Sequence, residues 1–148
     1  MPRFLIVIVM LLVPHSLVAG ERVSATNFYV LNQEDINVGG VVFWQQDNAG
    51  TFTVSEGPIE AGFVRCLGSG FDFDGGGICI YGTGPDTFTM RWKVIGFGMN
   101  RWHIIDATGK YAGMRGRGTT ETRVKSKFLK LKHRISDWVG EIELPKRN

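Results

Sequence analysis

Two cysteines, Cys66 and Cys79, carry the most definite chemistry in this sequence. They lie on two predicted strands joined by residues 67–78, so a bond between them would staple the strands together. A redox pair favours CxxC spacing and a metal site favours a histidine nearby in sequence, and the sequence has neither feature here. We therefore predict a structural disulfide, which stabilises a fold by about 3 kcal/mol when the closed loop is near 15 residues.

Arg65 stands at strand period between two apolar residues. If that apolar face points inward, a guanidinium enters the core and needs a carboxylate from the protein or from a ligand. We predict that Arg65 orients an acidic ligand, the alternative being an outward face or a place at the rim. The apolar wall of such a pocket is best defined in residues 86–94, where Phe88, Met90 and Trp92 alternate with polar residues.

Four tryptophans fall on four predicted strands: Trp44, Trp92, Trp102 and Trp138. They could line an apolar pocket, because large aromatics are common in ligand sites. They could equally fill the interior and leave no pocket, since aromatics are also common core residues. Both alternatives stay open at this point, and the volume of any pocket would separate them.

No catalytic, cofactor or metal site is predicted. Residues 68–77 contain Asp72 and Asp74 in a D-x-D-G pattern, but the later ligands of a calcium loop are absent. A flexible hairpin loop with aspartates at its turn is the better interpretation. His103 and His133 belong to no Ser-His-Asp, Cys-His or metal-ligand spacing.

A basic run without an acid comprises Arg123, Lys125, Lys127, Lys130, Lys132 and Arg134. It could meet an anionic membrane surface, a polyanion or an acidic partner, and the usual interpretation is a solvated face. The net charge is +3, of which Arg3 contributes one, so the chain is too weakly basic to indicate a nucleic-acid partner.

Residues 1–20 have the pattern of a cleaved signal peptide. Arg3 precedes the ten apolar residues Phe4–Val13, and Val18 and Gly20 suit the −3 and −1 positions of the cleavage site. Ten apolar residues fall short of the roughly 20 that span a bilayer, so no membrane span is predicted. We expect an exported protein, periplasmic or secreted, in which residues 21–148 form a single domain and the cysteines meet an oxidising environment. The absence of an N-glycosylation sequon favours a bacterial source.

The rest of the chain reads as short alternating strands with turn signals about every ten residues. Roughly eight strands are predicted, the pattern of an all-β protein built as a single antiparallel closed barrel. An interior of that size is either filled by side chains or wide enough for one small ligand. Residues 125–134 fit either a strand or a short helix, and both assignments stay open.

Residues 108–119 read TGKYAGMRGRGT and resemble the signature T-G-x-[FY]-x-G-x-x-G-x-G. It occurs in the allene oxide cyclase-like and dirigent-like β-barrel superfamily, which includes small exported bacterial proteins of unknown activity. The resemblance covers about residues 60–124 and implies a barrel in which Tyr111 plugs one end and Gly109 makes a tight turn. It transfers no catalytic residue, since the cyclase side chains lie in parts that do not align.

Three function classes follow. The favoured one is a non-catalytic binder of a small apolar or amphipathic ligand. An enzyme of the cyclase or isomerase type, acting on a hydrophobic substrate inside the barrel, is the second, and a buried ionisable group without a partner would favour it. The third is a structural or interaction protein with a filled barrel. The oligomeric state is left open.

Overall fold

The computed structural model describes residues 20–128 and 131–146. These residues form nine strands and one 3-10 turn, with no α-helix among them. The strands are β1 (Glu21–Leu31), β2 (Gln33–Val38), β3 (Val41–Glu56), β4 (Gly62–Phe71), β5 (Asp74–Thr83), β6 (Asp86–Gly96), β7 (Met99–Ala107), β8 (Arg115–Phe128) and β9 (Leu131–Glu143); the turn, η1, is Gly109–Tyr111. No described helix is long and apolar enough to cross a membrane.

Every strand pairing is antiparallel, and the sheet closes on itself. The order is β1-β9-β8-β7-β6-β5-β4-β3-β2, and a further pairing joins β1 to β3. β1 pairs with the second half of β3, while β2 pairs with its first half, from Val41 to Gln46. Eight strands therefore form the ring and β2 extends it at one edge, which confirms the predicted antiparallel closed barrel of about eight strands.

The inward face follows the period-two alternation that strands require. On β6, Phe88, Met90 and Trp92 point into the barrel and are 1%, 3% and 9% exposed, as the alternation predicted. On β1 the inward residues are the odd-numbered ones from Val23 to Tyr29. Each strand thus contributes one row of side chains to a common interior.

One half of this interior is filled by interlocking aromatic side chains. Trp102 and Trp138 meet edge to face with ring centroids 5.4 Å apart, and both are almost fully buried. Tyr81 and Phe88 stack at 5.1 Å beside them. η1 closes this end, because buried Tyr111 packs on Phe88 and its hydroxyl oxygen accepts a hydrogen bond at 3.0 Å from the chain before β4.

Glycines make room for the indoles against the barrel wall. A Cβ atom at Gly118 would lie 2.5 Å from the ring of Trp102, and one at Gly68 would lie 2.3 Å from the ring of Trp92. Each of these glycines faces another glycine on the neighbouring strand. The bare backbone of the pair lets an indole lie where a side chain would otherwise stand.

The prediction of a flexible loop at residues 68–77 is wrong. β4 and β5 run through it and leave a turn of only Asp72 and Phe73. The glycines pair across the two strands, and the carboxylate of Asp72 accepts a hydrogen bond from the Val42 amide at 3.0 Å. Within residues 20–128 and 131–146, no cluster of three or more His, Cys, Asp or Glu side chains could hold a metal ion.

The predicted signal peptide lies almost wholly outside the described residues, which begin at Gly20. Its cleavage and the limits of the mature domain stay predictions.

The basic run is part of the β8–β9 hairpin, with Lys125 opposite Arg134 and Lys127 opposite Lys132. The strand alternative for residues 125–134 is therefore confirmed for 125–128 and 131–134, while 129–130 lie outside the described residues.

Candidate functional site

The other half of the barrel is hollow. A cavity of about 210 Å³ opens at the end where the β4–β5 and β6–β7 turns lie, with Phe73 and Phe97 exposed at its mouth. Trp44 and Trp92 form one wall, stacked at 6.2 Å with an angle of 12° between their planes. Amide and hydroxyl side chains, among them Asn48, Thr120 and Ser136, line this half in place of the large aromatic rings of the packed half.

The floor of the cavity is a network of polar side chains. The Asn27 amide donates to the hydroxyl oxygens of Tyr29 at 2.7 Å and Tyr81 at 3.1 Å. Its carbonyl oxygen accepts a hydrogen bond from the Trp138 indole at 3.2 Å. All four residues are buried. The network ties the floor to the packed half and fixes the side chain of Asn27 from both ends.

Both tyrosines are poor acids. Burial raises the pKa of Tyr29 well above its usual value, and the neighbouring Tyr81 raises it further. Burial raises the pKa of Tyr81 to about 12, against a smaller opposing effect of hydrogen bonds from Tyr29 and Asn27. At neutral pH the two phenols are therefore uncharged and serve as hydrogen-bonding groups rather than bases.

Arg134 brings a positive charge into the hollow half. Burial lowers the pKa of its guanidinium, partly offset by the phenol of Tyr29. Its Nη1 reaches the Oε1 atom of Gln46 at 3.5 Å, and its buried Nε has no hydrogen-bond partner in the described part of the chain. No ion pair joins Arg134 to a described acid. A buried cation without a counter-ion is unfavourable unless something else supplies one.

Trp92 carries a second unused donor. Its Nε1 is buried and lacks a hydrogen-bond partner among the described residues. The other three indoles donate to the backbone oxygens of Asp72 and Thr119 and to the Asn27 side chain. Trp92, which lines the cavity, thus differs from the other indoles in having a buried N–H without an acceptor among the described residues.

The predicted disulfide is confirmed, and it is part of the cavity wall. Cys66 and Cys79 are directly opposite on β4 and β5, with 4.0 Å between their Cα atoms. Both are buried, and the Sγ atom of Cys66 lies 3.2 Å from the Tyr29 hydroxyl. The bond therefore staples the two strands on their inward face.

Arg65 is not in the cavity. It lies on the outer face, where its Nε and Nη2 donate to the carboxylate of Asp47 at 2.9 and 2.7 Å. This guanidinium lowers the pKa of the Asp47 carboxyl. The inward orientation predicted for Arg65 is wrong because Val64 and Cys66 take the inward positions of β4.

The other predicted pocket residues divide between the two halves. Met90 and Trp92 line the cavity, whereas Phe88 packs in the filled half. Among the tryptophans, Trp44, Trp92 and Trp102 line the cavity and Trp138 does not, so neither the pocket nor the filled core describes the whole barrel. Whether any of these residues contacts a ligand stays a prediction.

Arg134 was missed as a site residue because it stands in the basic run that was interpreted as a solvated face. Arg123 fits that interpretation, since its Nε pairs with Asp137 at 3.1 Å on the outer face, and Lys132 is exposed. Arg134 does not fit it. Counting back in steps of two from Trp138, a residue with strong core character, places Arg134 on the inward face of β9.

No family model matches the chain, and no curated protein matches it in sequence. Four chains of solved structures resemble its fold. One is the pterocarpan synthase dirigent protein GePTS1, with 11% identity and a TM-score of 0.49 over 95% of this chain and 98% of that one. The barrel assignment rests on the strand pairing, not on this similarity. The allene oxide cyclase-like side of the resemblance and a bacterial source stay predictions.

Proposed function

We propose that the protein binds a small amphipathic molecule in the hollow half of its barrel. The supporting observation is the open cavity itself, which has a stacked indole pair on one wall and polar groups at its floor and side. The lining combines aromatic rings with amides, hydroxyls and one guanidinium, so it offers contacts to both the apolar and the polar part of such a molecule. A barrel evolved only as a rigid spacer gains nothing from leaving half of its interior unfilled.

The size of the cavity limits the ligand. An apolar cavity of about 150 Å³ in another protein holds benzene, whereas sites for drug-sized ligands measure about 300–1,000 Å³. The volume here, about 210 Å³, has room for one ring or a short chain with a polar head group. Larger ligands would extend past Phe73 and Phe97 at the mouth, which are 71% and 84% exposed.

An enzyme acting in the same cavity is the second candidate, because Arg134 is a half-buried ionisable group with no ion pair to a described acid. Such a charge could stabilise negative charge that develops on a substrate. Arginine keeps its proton at physiological pH, however, and the two floor tyrosines are held neutral. Neither type of group is suited to accept a proton, and the Asp72 carboxylate at the rim already accepts the Val42 amide. Binding without catalysis is therefore the better supported function.

Two neighbouring residues of β8 offer a test of cavity binding. Thr120 lines the cavity, whereas Thr119 is exposed on the outer face. Native mass spectrometry of protein purified from its source should show a small molecule on the wild type and on Thr119→Phe. Thr120→Phe, which places a ring in the cavity, should be free of it. Equal occupancy of the two variants would reject the cavity as the binding site.

We further propose that the protein acts outside the cytoplasm. The support is the signal-peptide pattern of residues 1–20 together with the disulfide, a bond that persists in oxidising compartments. N-terminal sequencing of protein from the extracytoplasmic fraction should begin at or near Glu21. A mature chain that still begins at Met1 would contradict export by this route.

A further inference from the structure

Two residues that line the cavity, Arg134 and Trp92, each have a buried hydrogen-bond donor, Nε and Nε1, without an acceptor among the described residues. A buried donor left unpaired costs about 1–3 kcal/mol, and more when it is charged. Other buried polar side chains of the cavity have their hydrogen bonds satisfied. Asn27 and Asn48, which are also buried, both have hydrogen-bond partners. An acceptor supplied from outside the chain would satisfy these donors.

The acids near the hollow half are already engaged. Asp47 is bonded to Arg65 on the outer face, and Asp137 pairs with Arg123. Asp72, at the rim of the cavity, accepts the Val42 amide. The described chain therefore offers Arg134 no carboxylate, and the guanidinium has the geometry to accept one from a ligand.

A chain of hydrogen bonds positions the Arg134 side chain. The Asn32 amide donates to Asn48 Oδ1 at 3.1 Å, and Asn48 Nδ2 donates to Gln46 Oε1 at 2.9 Å. The same Oε1 atom receives Arg134 Nη1 at 3.5 Å. Since Asn48 is only 1% exposed, this relay positions the guanidinium, whose Nε has no acceptor among the described residues.

We propose that the ligand is a small, flat, apolar carboxylate whose carboxylate binds Arg134 and whose ring lies against the Trp44–Trp92 pair. A further oxygen on the ring would find the unpaired N–H of Trp92. This inference rests on the proposed function, since it names the chemical class of the molecule that occupies the same cavity. It replaces the predicted ligand role of Arg65 with a residue that the fold directs inward.

The test compares 3-phenylpropanoate with 3-phenylpropanamide, two probes of similar shape of which only the first is charged. Isothermal titration calorimetry on ligand-free wild type should give at least tenfold tighter binding of the acid. Arg134→Gln should reduce that ratio to about one, mainly by weakening the acid. Arg134→Lys, which keeps the charge but not the planar fork, should restore part of it.

The matched control is Arg65→Gln, the same change on the outer face. It should leave both affinities within about twofold of the wild type. Circular dichroism and urea unfolding of each variant establish that it is folded. The acid-to-amide ratio of the wild type needs no variant, so the inference stays testable even if Arg134→Gln does not fold.

The outcomes separate the two proposals. Equal binding of acid and amide by the wild type, or a ratio unchanged in folded Arg134→Gln, would overturn the carboxylate inference and leave cavity binding intact. Equal loss of the ratio in Arg65→Gln would overturn the assignment to Arg134. Binding of neither probe overturns the carboxylate inference, and the proposed function falls with it only if the purified protein also carries no small molecule.

Discussion

The two halves of this barrel are built from the same strands but differ in what those strands direct inward. In the packed half, Trp102, Trp138 and Phe88 interlock with almost no exposure. In the hollow half, the inward positions hold glycines, amides and Arg134. The sheet supplies the same backbone hydrogen bonds to both, so the difference lies in the volume and the polarity of the inward side chains. A barrel can thus keep a dry core at one end and a cavity at the other.

The comparison assigns stability and binding to different places. Tight packing stabilises a fold through buried apolar area and many small attractive contacts, and the packed half has both. The hollow half lacks these contacts and contains unpaired donors, features typical of sites where stability is sacrificed to function. Substitutions in the two halves should therefore have different effects, which four experiments can measure.

Removing an indole should give the largest difference in unfolding free energy between the two halves. Trp138→Ala empties a fully buried position and leaves the carbonyl of Asn27 without its donor, so we expect a loss of about 3–5 kcal/mol. Trp44→Ala at the half-buried cavity wall should cost about 1–2 kcal/mol, because part of that ring is already in contact with solvent. Urea unfolding monitored by far-UV circular dichroism measures both. Equal losses would show that the two halves are packed alike.

The disulfide is expected to have the next largest effect. Replacing Cys66 and Cys79 together by serine should lower the free energy of unfolding by about 2–4 kcal/mol, since the bond restricts the unfolded chain over a separation of 13 residues. The fold should persist because the packed half does not depend on it. Equilibrium urea unfolding measures the loss, and peptide mapping without reductant should show the two cysteines joined in the wild type. A double variant that cannot fold would place the main stability in the hollow half instead.

Alkaline pH tests the boundary between the halves, where Tyr81 is buried. Its pKa in the folded chain, about 12, exceeds the usual value of 10.0. The stability that this difference contributes is therefore complete below pH 10 and is lost as the pH rises towards 12. The loss is on the order of 2 kcal/mol for a shift of this size. Tyr29, whose pKa is also raised, adds a loss in the same direction.

The measurement is urea unfolding at several pH values between 9 and 12. Tyr81→Phe removes one of the two titrating groups and should show a shallower decline than the wild type, although its stability at pH 9 is lower because Asn27 loses a partner. Identical declines in the two proteins would mean that Tyr81 is not held neutral by the fold.

The sequence predicts the inward face of β6 better than that of β4, for a physical reason. On β6 the alternation of Phe88, Met90 and Trp92 with polar residues is strict, so the inward face could be predicted. On β4 the outer face is apolar too, with Phe63 66% and Leu67 39% exposed, so polarity does not show which face is inward. The sequence therefore leaves both faces open for Arg65, and the inward face on which its predicted ligand role depends is not the observed one.

The cavity depends on features that carry little signal in a single sequence. A glycine in a strand looks like a turn residue, and the β4–β5 glycines were interpreted as a loop for that reason. Only their pairing across two strands shows that they form a wall against the ring of Trp92. The position of Arg134 depends likewise on a strand register that extends from Trp138 through residues that look solvated.

The smallest expected effect is a gain in stability, whereas the other changes are expected to lower it. Arg134→Met should raise the free energy of unfolding of the ligand-free protein by about 1 kcal/mol, because replacing a buried charge by an apolar side chain is often stabilising. The lowered pKa of Arg134 has the same cause, the burial of a charge in the hollow half. Arg65→Met, which removes a solvated guanidinium bonded to Asp47, should bring no gain. Urea unfolding of the two variants beside the wild type makes the comparison. A loss of stability in Arg134→Met would mean that the charge has a counter-ion within the chain, and the hollow half would then be an ordinary polar core rather than a site completed by a ligand.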